Sequence, residues 1–238
     1  MIHLAAISKV SDCREKPLEC MRINVLGTMH ILEAVRKTDN HAWIILTSTR
    51  ETSNDQVKGN GEYRKIVNLY GISKLVGEIC SERYALDYRC RVLCLKLSDV
   101  YGSERDNPTK LIPRFILRAS NNQDLLIQQG RQLFDFIHWE DVTDGFLLAV
   151  DKIRRVKGPY YDDFAICTGR KTSLEDLSKL IRREINSISR VVYFALNIPP
   201  SQTYFSSPKK AKNILGFKTK VSLVSGIRQT AKILKNQL

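Results

Sequence analysis

Tyr70 and Lys74 stand four residues apart in "NLYGISKLVGE" (68–78), a stretch whose composition reads as helix. On a helix that spacing puts both side chains on one face. A free phenol has a pKa near 10 and is a poor base at neutral pH. A nearby ammonium stabilises the phenolate and lowers that value. Such a tyrosine can take a proton from a substrate hydroxyl while hydride leaves the same carbon. A Ser or Thr hydroxyl usually orients the oxygen in reactions of this kind. Upstream, "LTST" (46–49) ends an apolar run in hydroxyls and supplies that third group.

The elements that must hold these residues follow from hydrophobic periodicity. "MIHLAA" (1–6), "AWIILTS" (42–48) and "RVLCLKL" (91–97) read as buried strands. Residues 17–37 and 67–87 read as helices, the first with Leu26, Ile31, Leu32 and Val35 at helical spacing. Residues 53–64 read as loop. Further on, "LIPRFILRAS", "EDVTDGFLLAVDKI" and "SLEDLSKLIRREI" read as helices, while "DLLIQQ", "FDFIHW" and "DDFAI" read as strands. Ser173 and Asp176 have the spacing of a capping box. In "SSPKKAKNILGF", Ser207 is placed as cap, Pro208 at the first helical position and Gly216 as the stop. Strands alternating with helices predict an α/β fold with a parallel sheet.

Length and composition narrow the class. A chain of 238 residues, 43% hydrophobic, can bury a full core. No apolar run reaches membrane-spanning length. The net charge is +13, but the basic residues are scattered rather than interleaved with aromatics, so no nucleic-acid partner is expected. The six cysteines form no CxxC pair, which predicts reduced thiols and a cytoplasmic protein.

With these motifs in order, the chain resembles the extended short-chain dehydrogenases, the NAD-dependent epimerases and dehydratases of nucleotide sugars. "IHLAA" resembles the family's fourth strand, "NVLGT" (24–28) its N-x-x-G-T, and "YGISK" its Y-x-x-S-K. "LTSTRE" resembles the strand ending in the catalytic hydroxyl. "KLSDVYG", "FDFIHWEDVTDGFLLAV" and "SPKKAKNILGF" resemble later family segments. The resemblance implies Tyr70, Lys74 and Thr49 as catalytic residues. It implies Leu4, Ala5, Ala6, Asn24, Tyr70 and Lys74 as contacts for NAD or NADP. It places Asp99 where the family has a sugar-contacting Asn, and Arg131 close to the position of a substrate-phosphate arginine, which is Phe134 here. Glu51 joins these as a substrate contact, whereas Arg50 replaces the acid that dehydratases place after the catalytic threonine. No metal site is implied.

The family's opening strand and its G-x-x-G-x-x-G turn, which holds pyrophosphate on a helix N-terminus, have no match in this sequence. The expected fold is therefore a truncated doubly wound, Rossmann-type parallel sheet with a smaller C-terminal α/β substrate lobe. The Rossmann part is expected over 1–105, continued by 134–160, and the lobe over 106–133 and 161–238. Residues 2–6 would form an apolar sheet edge, and a homodimer would pair the helices near 17–37 and 67–87. The implied activity is epimerisation of a nucleotide-diphosphate sugar through transient oxidation. Dehydration, reduction, or an inactive member that cannot hold cofactor alone are the alternatives, and poor NAD(P) binding by this chain is the expectation.

Overall fold

The computed structural model describes residues 1–38, 42–52, 68–128, 132–194 and 206–235. The predicted loop at 53–64 and Arg131 lie outside them. In chain order the elements are β1 (Ile2–His3), α1 (Val10–Glu15), α2 (Pro17–Met21), a π-helical turn (Arg22–Leu26), α3 (Gly27–Lys37), β2 (Trp43–Thr49), a 3₁₀ turn (Arg50–Thr52), α4 (Leu69–Tyr88), β3 (Arg91–Leu97), β4 (Asp99–Tyr101), α5 (Leu111–Ser120) and β5 (Leu125–Gln128). Then come β6 (Leu133–Phe134), β7 (Phe136–His138), α6 (Trp139–Arg155), β8 (Tyr160–Ile166), β9 (Thr172–Ser173), α7 (Leu174–Glu184), β10 (Val191–Phe194), α8 (Lys209–Leu215) and α9 (Leu223–Lys235). No helix among the described residues is long and apolar enough to cross a membrane.

The chain forms two units. The first comprises Met1–Ser98, Asp144–Ile166 and Phe205–Phe217. Its sheet runs β1-β2-β3-β8, all parallel. β2 and β3 are near-continuous apolar runs, as strands covered on both faces require, and Ile44, Ile45, Leu46, Val92 and Leu93 are essentially inaccessible. α3 and α4 pack on this sheet, and Leu32, Val35 and Tyr84 join Ile44 and Val92 in one core. The second unit comprises Asp99–Thr143, Cys167–Tyr204 and Lys218–Leu238. Three two-stranded pairings, β5 with β10, β4 with β7 and β6 with β9, accompany α5, α7 and α9 around Ile112, Phe115, Leu177 and Ile227. The boundaries differ from those expected because β8 pairs along its whole length with β3, which draws 161–166 into the first unit.

Four local differences have physical reasons. Only two residues of "MIHLAA" pair, Ile2 with Ile45 and His3 with Leu46, and Leu4 is 62% exposed. The predicted single strand "FDFIHW" is two strands in different sheets. Asp135 interrupts it by turning its carboxylate to the N–H groups of Thr168 (3.1 Å) and Gly169 (2.7 Å). Pro208 is the cap of α8 rather than its first residue, while Gly216 ends that helix at φ +74° as expected. Leu26, expected inward, is exposed, because the π turn adds a residue to the helix and rotates Asn24 inward instead.

The expectation of reduced thiols throughout is corrected: Cys13 and Cys20 form a disulfide. The chain breaks between α1 and α2 at Lys16, and that break folds two buried cysteines seven residues apart against each other. Cys80, Cys90, Cys94 and Cys167 are free thiols.

Candidate active site

The proposed catalytic residues all belong to the first unit. Thr49 is the last residue of β2 and is buried. Tyr70 lies in the first turn of α4, and Lys74 follows one turn later, 9% exposed. The start of that helix is fixed by Asn68, whose Oδ1 accepts from Gly71 N–H at 2.8 Å. The other end of the same amide donates to Glu51 Oε2 at 2.6 Å. One side chain therefore ties the 3₁₀ turn after β2 to the start of α4.

Across this junction the Thr49 hydroxyl acts on the Tyr70 phenol as a hydrogen-bonding neighbour. The Tyr70 phenol is pushed up to about 12, first by burial and then by the Glu51 carboxylate; the Thr49 bond and the Arg50 charge act in the opposite direction. The expected lowering by Lys74 is not among these influences. Burial also raises Glu51, against the opposing effects of Asn68 and Arg50. Lys74 is lowered by burial, with the Cys94 thiol and the Glu78 carboxylate pulling the other way. Among the described residues no hydrogen bond or ion pair engages its ammonium.

Asn24 sits at the centre of the π turn and is 2% exposed. Its Oδ1 accepts from Ile7 N–H at 2.8 Å, and its Nδ2 donates to Ile7 O at 3.0 Å and to Ser73 Oγ at 2.9 Å. Ser73 in turn donates to Tyr70 O at 2.7 Å. Asn24 thus links the segment after β1 to the turn of α4 that carries Tyr70. Leu4 and Ala5 are exposed and Ala6 half-buried on that segment, which leaves its backbone open to a ligand. His3 touches Thr28 Oγ1 at 3.1 Å, and its imidazole is lowered by burial and then by the charge of Lys74. An unpaired buried ammonium and an open, side-chain-clamped backbone suit the polar sugar end of a dinucleotide. Asp99, at the start of β4, belongs to the second unit and is half-buried.

Sequence reasoning passed over the charges beneath this site. Glu78, one turn beyond Lys74, is 4% exposed and pairs with Lys96 at 3.3 Å; Lys96 also pairs with Asp163 at 2.8 Å. The signal was present: an acid four residues after Lys74 on the same helix face, and an isolated lysine inside the apolar run of β3.

The sequence profile of the NAD dependent epimerase/dehydratase family matches residues 1–167. The chain is 29% identical to a putative UDP-glucose 4-epimerase of Methanocaldococcus jannaschii, covering 99% of this chain and 77% of that protein. It is 28% identical to the human dTDP-D-glucose 4,6-dehydratase over 97% of this chain and 67% of that enzyme. A trifunctional rhamnose-forming enzyme of Arabidopsis thaliana, 28% identical, is covered over only 35% of its length. Among solved structures, the UDP-glucose 4-epimerase of Thermotoga maritima with UDP-glucose superposes with a TM-score of 0.86 at 25% identity, over 99% of this chain and 77% of that one. UDP-glucuronic acid 4-epimerase of Bacillus cereus, at 22% identity and a TM-score of 0.85, shares the fold. A Rossmann-type parallel sheet, the Y-x-x-x-K helix and a profile match across most of the length agree: the chain belongs to the NAD-dependent epimerase/dehydratase family.

Proposed function

We propose that this chain is the catalytic portion of an NAD(P)-dependent nucleotide-sugar epimerase. The observation that carries the reading is that Thr49, at the end of β2, acts on the Tyr70 phenol in the first turn of α4, with buried Lys74 one turn further on that helix. Thr49 and Tyr70 share one substrate hydroxyl: Thr49 orients its oxygen and Tyr70 removes its proton. Lys74 and the backbone from Leu4 to Ala6, braced by Asn24, hold the nicotinamide end of NAD or NADP. NAD or NADP held there would supply the hydride acceptor for oxidation of the sugar carbon and the donor for its reduction from the opposite face. The sugar nucleotide is held by Asp99, Arg131 and Glu51, on the strength of their places in the family motifs. Arg50, where dehydratases have an acid, disfavours loss of water.

Glu51 favours 4,6-dehydration as a second reading, because a half-buried carboxyl with a raised pKa near the reacting tyrosine can serve as a proton donor. The remaining parts of the reading are a cytoplasmic location and a homodimer. Ile72, Ile79 and Leu86 support the dimer, forming an exposed apolar stripe at seven-residue spacing along α4.

The test is incubation of UDP-glucose with the chain and NAD or NADP, with products followed by NMR. UDP-galactose formation supports the epimerase, and a 4-keto-6-deoxy sugar replaces it with the dehydratase. Calorimetry with each dinucleotide separates the inactive alternative, since no binding together with no turnover would establish it.

A further inference from the structure

Glu78 lies one helical turn past Lys74 on α4 and is almost fully buried. Its Oε1 accepts hydrogen bonds from the hydroxyls of Ser48 and Thr52. Those two residues bracket Thr49: Ser48 precedes it on β2, and Thr52 closes the 3₁₀ turn that follows. The Thr52 hydroxyl also lies 2.8 Å from the main-chain carbonyl of Thr49. The other carboxylate oxygen, Oε2, is held at 3.3 Å by Lys96, which Asp163 anchors at 2.8 Å. Asp163 is further paired with Lys210 at 3.4 Å. A buried carboxylate is costly unless it is paired and hydrogen-bonded, and this one is fully engaged on both oxygens.

We propose that Glu78 is a positioning residue: it locks the end of β2 and the turn after it onto α4, setting Thr49 against Tyr70, and it places a carboxylate one helical turn from Lys74. The proposal rests on the functional reading above. Two parts of the geometry carry it. The carboxylate grips Thr49 from both sides without touching its side chain, and it stands on the helix that carries Tyr70 and Lys74. The surroundings agree, since Glu78 raises the pKa of Lys74 against the effect of burial, with the Cys94 thiol acting in the same direction.

The experiment uses two variants of the full chain. Glu78→Gln keeps the shape and removes the charge. Ser48→Ala with Thr52→Val removes the grip and keeps the Glu78–Lys96 pair. Lys74 is titrated by NMR in cofactor-free protein, its resonance assigned with Lys74→Arg, so this arm does not depend on turnover. Glu78→Gln is expected to lower the Lys74 titration. The double variant is expected to leave that titration in place and to speed amide exchange over residues 48–52 by roughly tenfold. With UDP-glucose and NAD, both are expected to lower kcat by roughly tenfold or more with little change in KM. A folded Glu78→Gln protein with an unmoved Lys74, or a double variant with unchanged exchange and kcat, overturns the proposal. If Glu78→Gln fails to fold, the double variant decides alone. Undiminished turnover in Tyr70→Phe would instead sink the functional reading and leave the Lys74 result standing.

Discussion

The side-chain amide of Asn24 grips the main chain of Ile7 at both ends, accepting from its N–H at 2.8 Å and donating to its carbonyl at 3.0 Å. A buried side chain is here replacing a strand partner for a backbone that has left the sheet. Asn24→Ala leaves Ile7 unsatisfied and also frees Ser73. The expected loss is about 2–3 kcal/mol, because stranded buried groups cost more than the mean hydrogen bond. The urea midpoint measures it, and a loss below roughly 0.5 kcal/mol would show that water takes over the amide's bonds.

Tyr70→Phe removes the proton acceptor while leaving the ring in place. Turnover should fall by about 10²–10⁴-fold, the usual contribution of a positioned acid–base group. Thermal stability at neutral pH should hold, since the ring stays in place. Thr49→Val should cost less, and it should raise the Tyr70 pKa, because the threonine bond opposes the effect of burial.

The same phenol predicts an alkaline limit to stability. In the unfolded chain it ionises near 10, whereas in the folded protein it is pushed up to about 12. The folded pKa is the higher of the two, so the contribution of Tyr70 is fully present below about pH 10 and is lost as pH rises towards 12. Melting temperatures recorded from pH 8 to 11 should fall, and less steeply for Tyr70→Phe. An identical slope in the two proteins would contradict the shift.

Lys96→Met leaves Glu78 without its cation and Asp163 with Lys210 alone. Removing one member of a buried charge cluster costs about 3–5 kcal/mol. Adding Glu78→Gln to Lys96→Met should recover part of that loss, and a denaturation cycle over the four proteins measures the coupling.

Ile79 is the middle residue of the exposed stripe on α4, 51% accessible. Ile79→Arg should convert a dimer to a monomer in sedimentation velocity at micromolar concentration. A parent chain that sediments as a monomer would remove the stripe from consideration as a subunit interface.

Much of the site was legible because its spacing is helical. Tyr70 and Lys74 sit where a period of 3.6 puts them, and Asn24 was placed through its motif. The β2 and β3 strands were legible as apolar runs, and the Ser173–Asp176 cap as a pattern, confirmed by Asp176 N–H donating to Ser173 Oγ at 3.0 Å. What escaped was tertiary. Glu78 looks like an ordinary helix glutamate until β2 brings two hydroxyls to it. The Cys13–Cys20 spacing carries no pairing signal until the chain breaks at Lys16. Residues 191–194, "VVYF", carry the β-branched and aromatic run of a strand, which the sequence reading passed over; they form β10 against β5. α9 went unnoticed in a stretch rich in small and polar residues, although Ile227, Ala231 and Leu234 fall on one buried face.

The π turn at Arg22–Leu26 makes the helix beneath the site intolerant of changes in length. A π segment is an α-helix carrying one surplus residue. Deleting a single residue there would give a more regular helix and close the wide turn that turns Asn24 inward. Asn24 would then no longer meet both Ile7 and Ser73. Substitutions along this stretch can therefore be absorbed, whereas a one-residue deletion would repair the helix and dismantle the brace behind Tyr70.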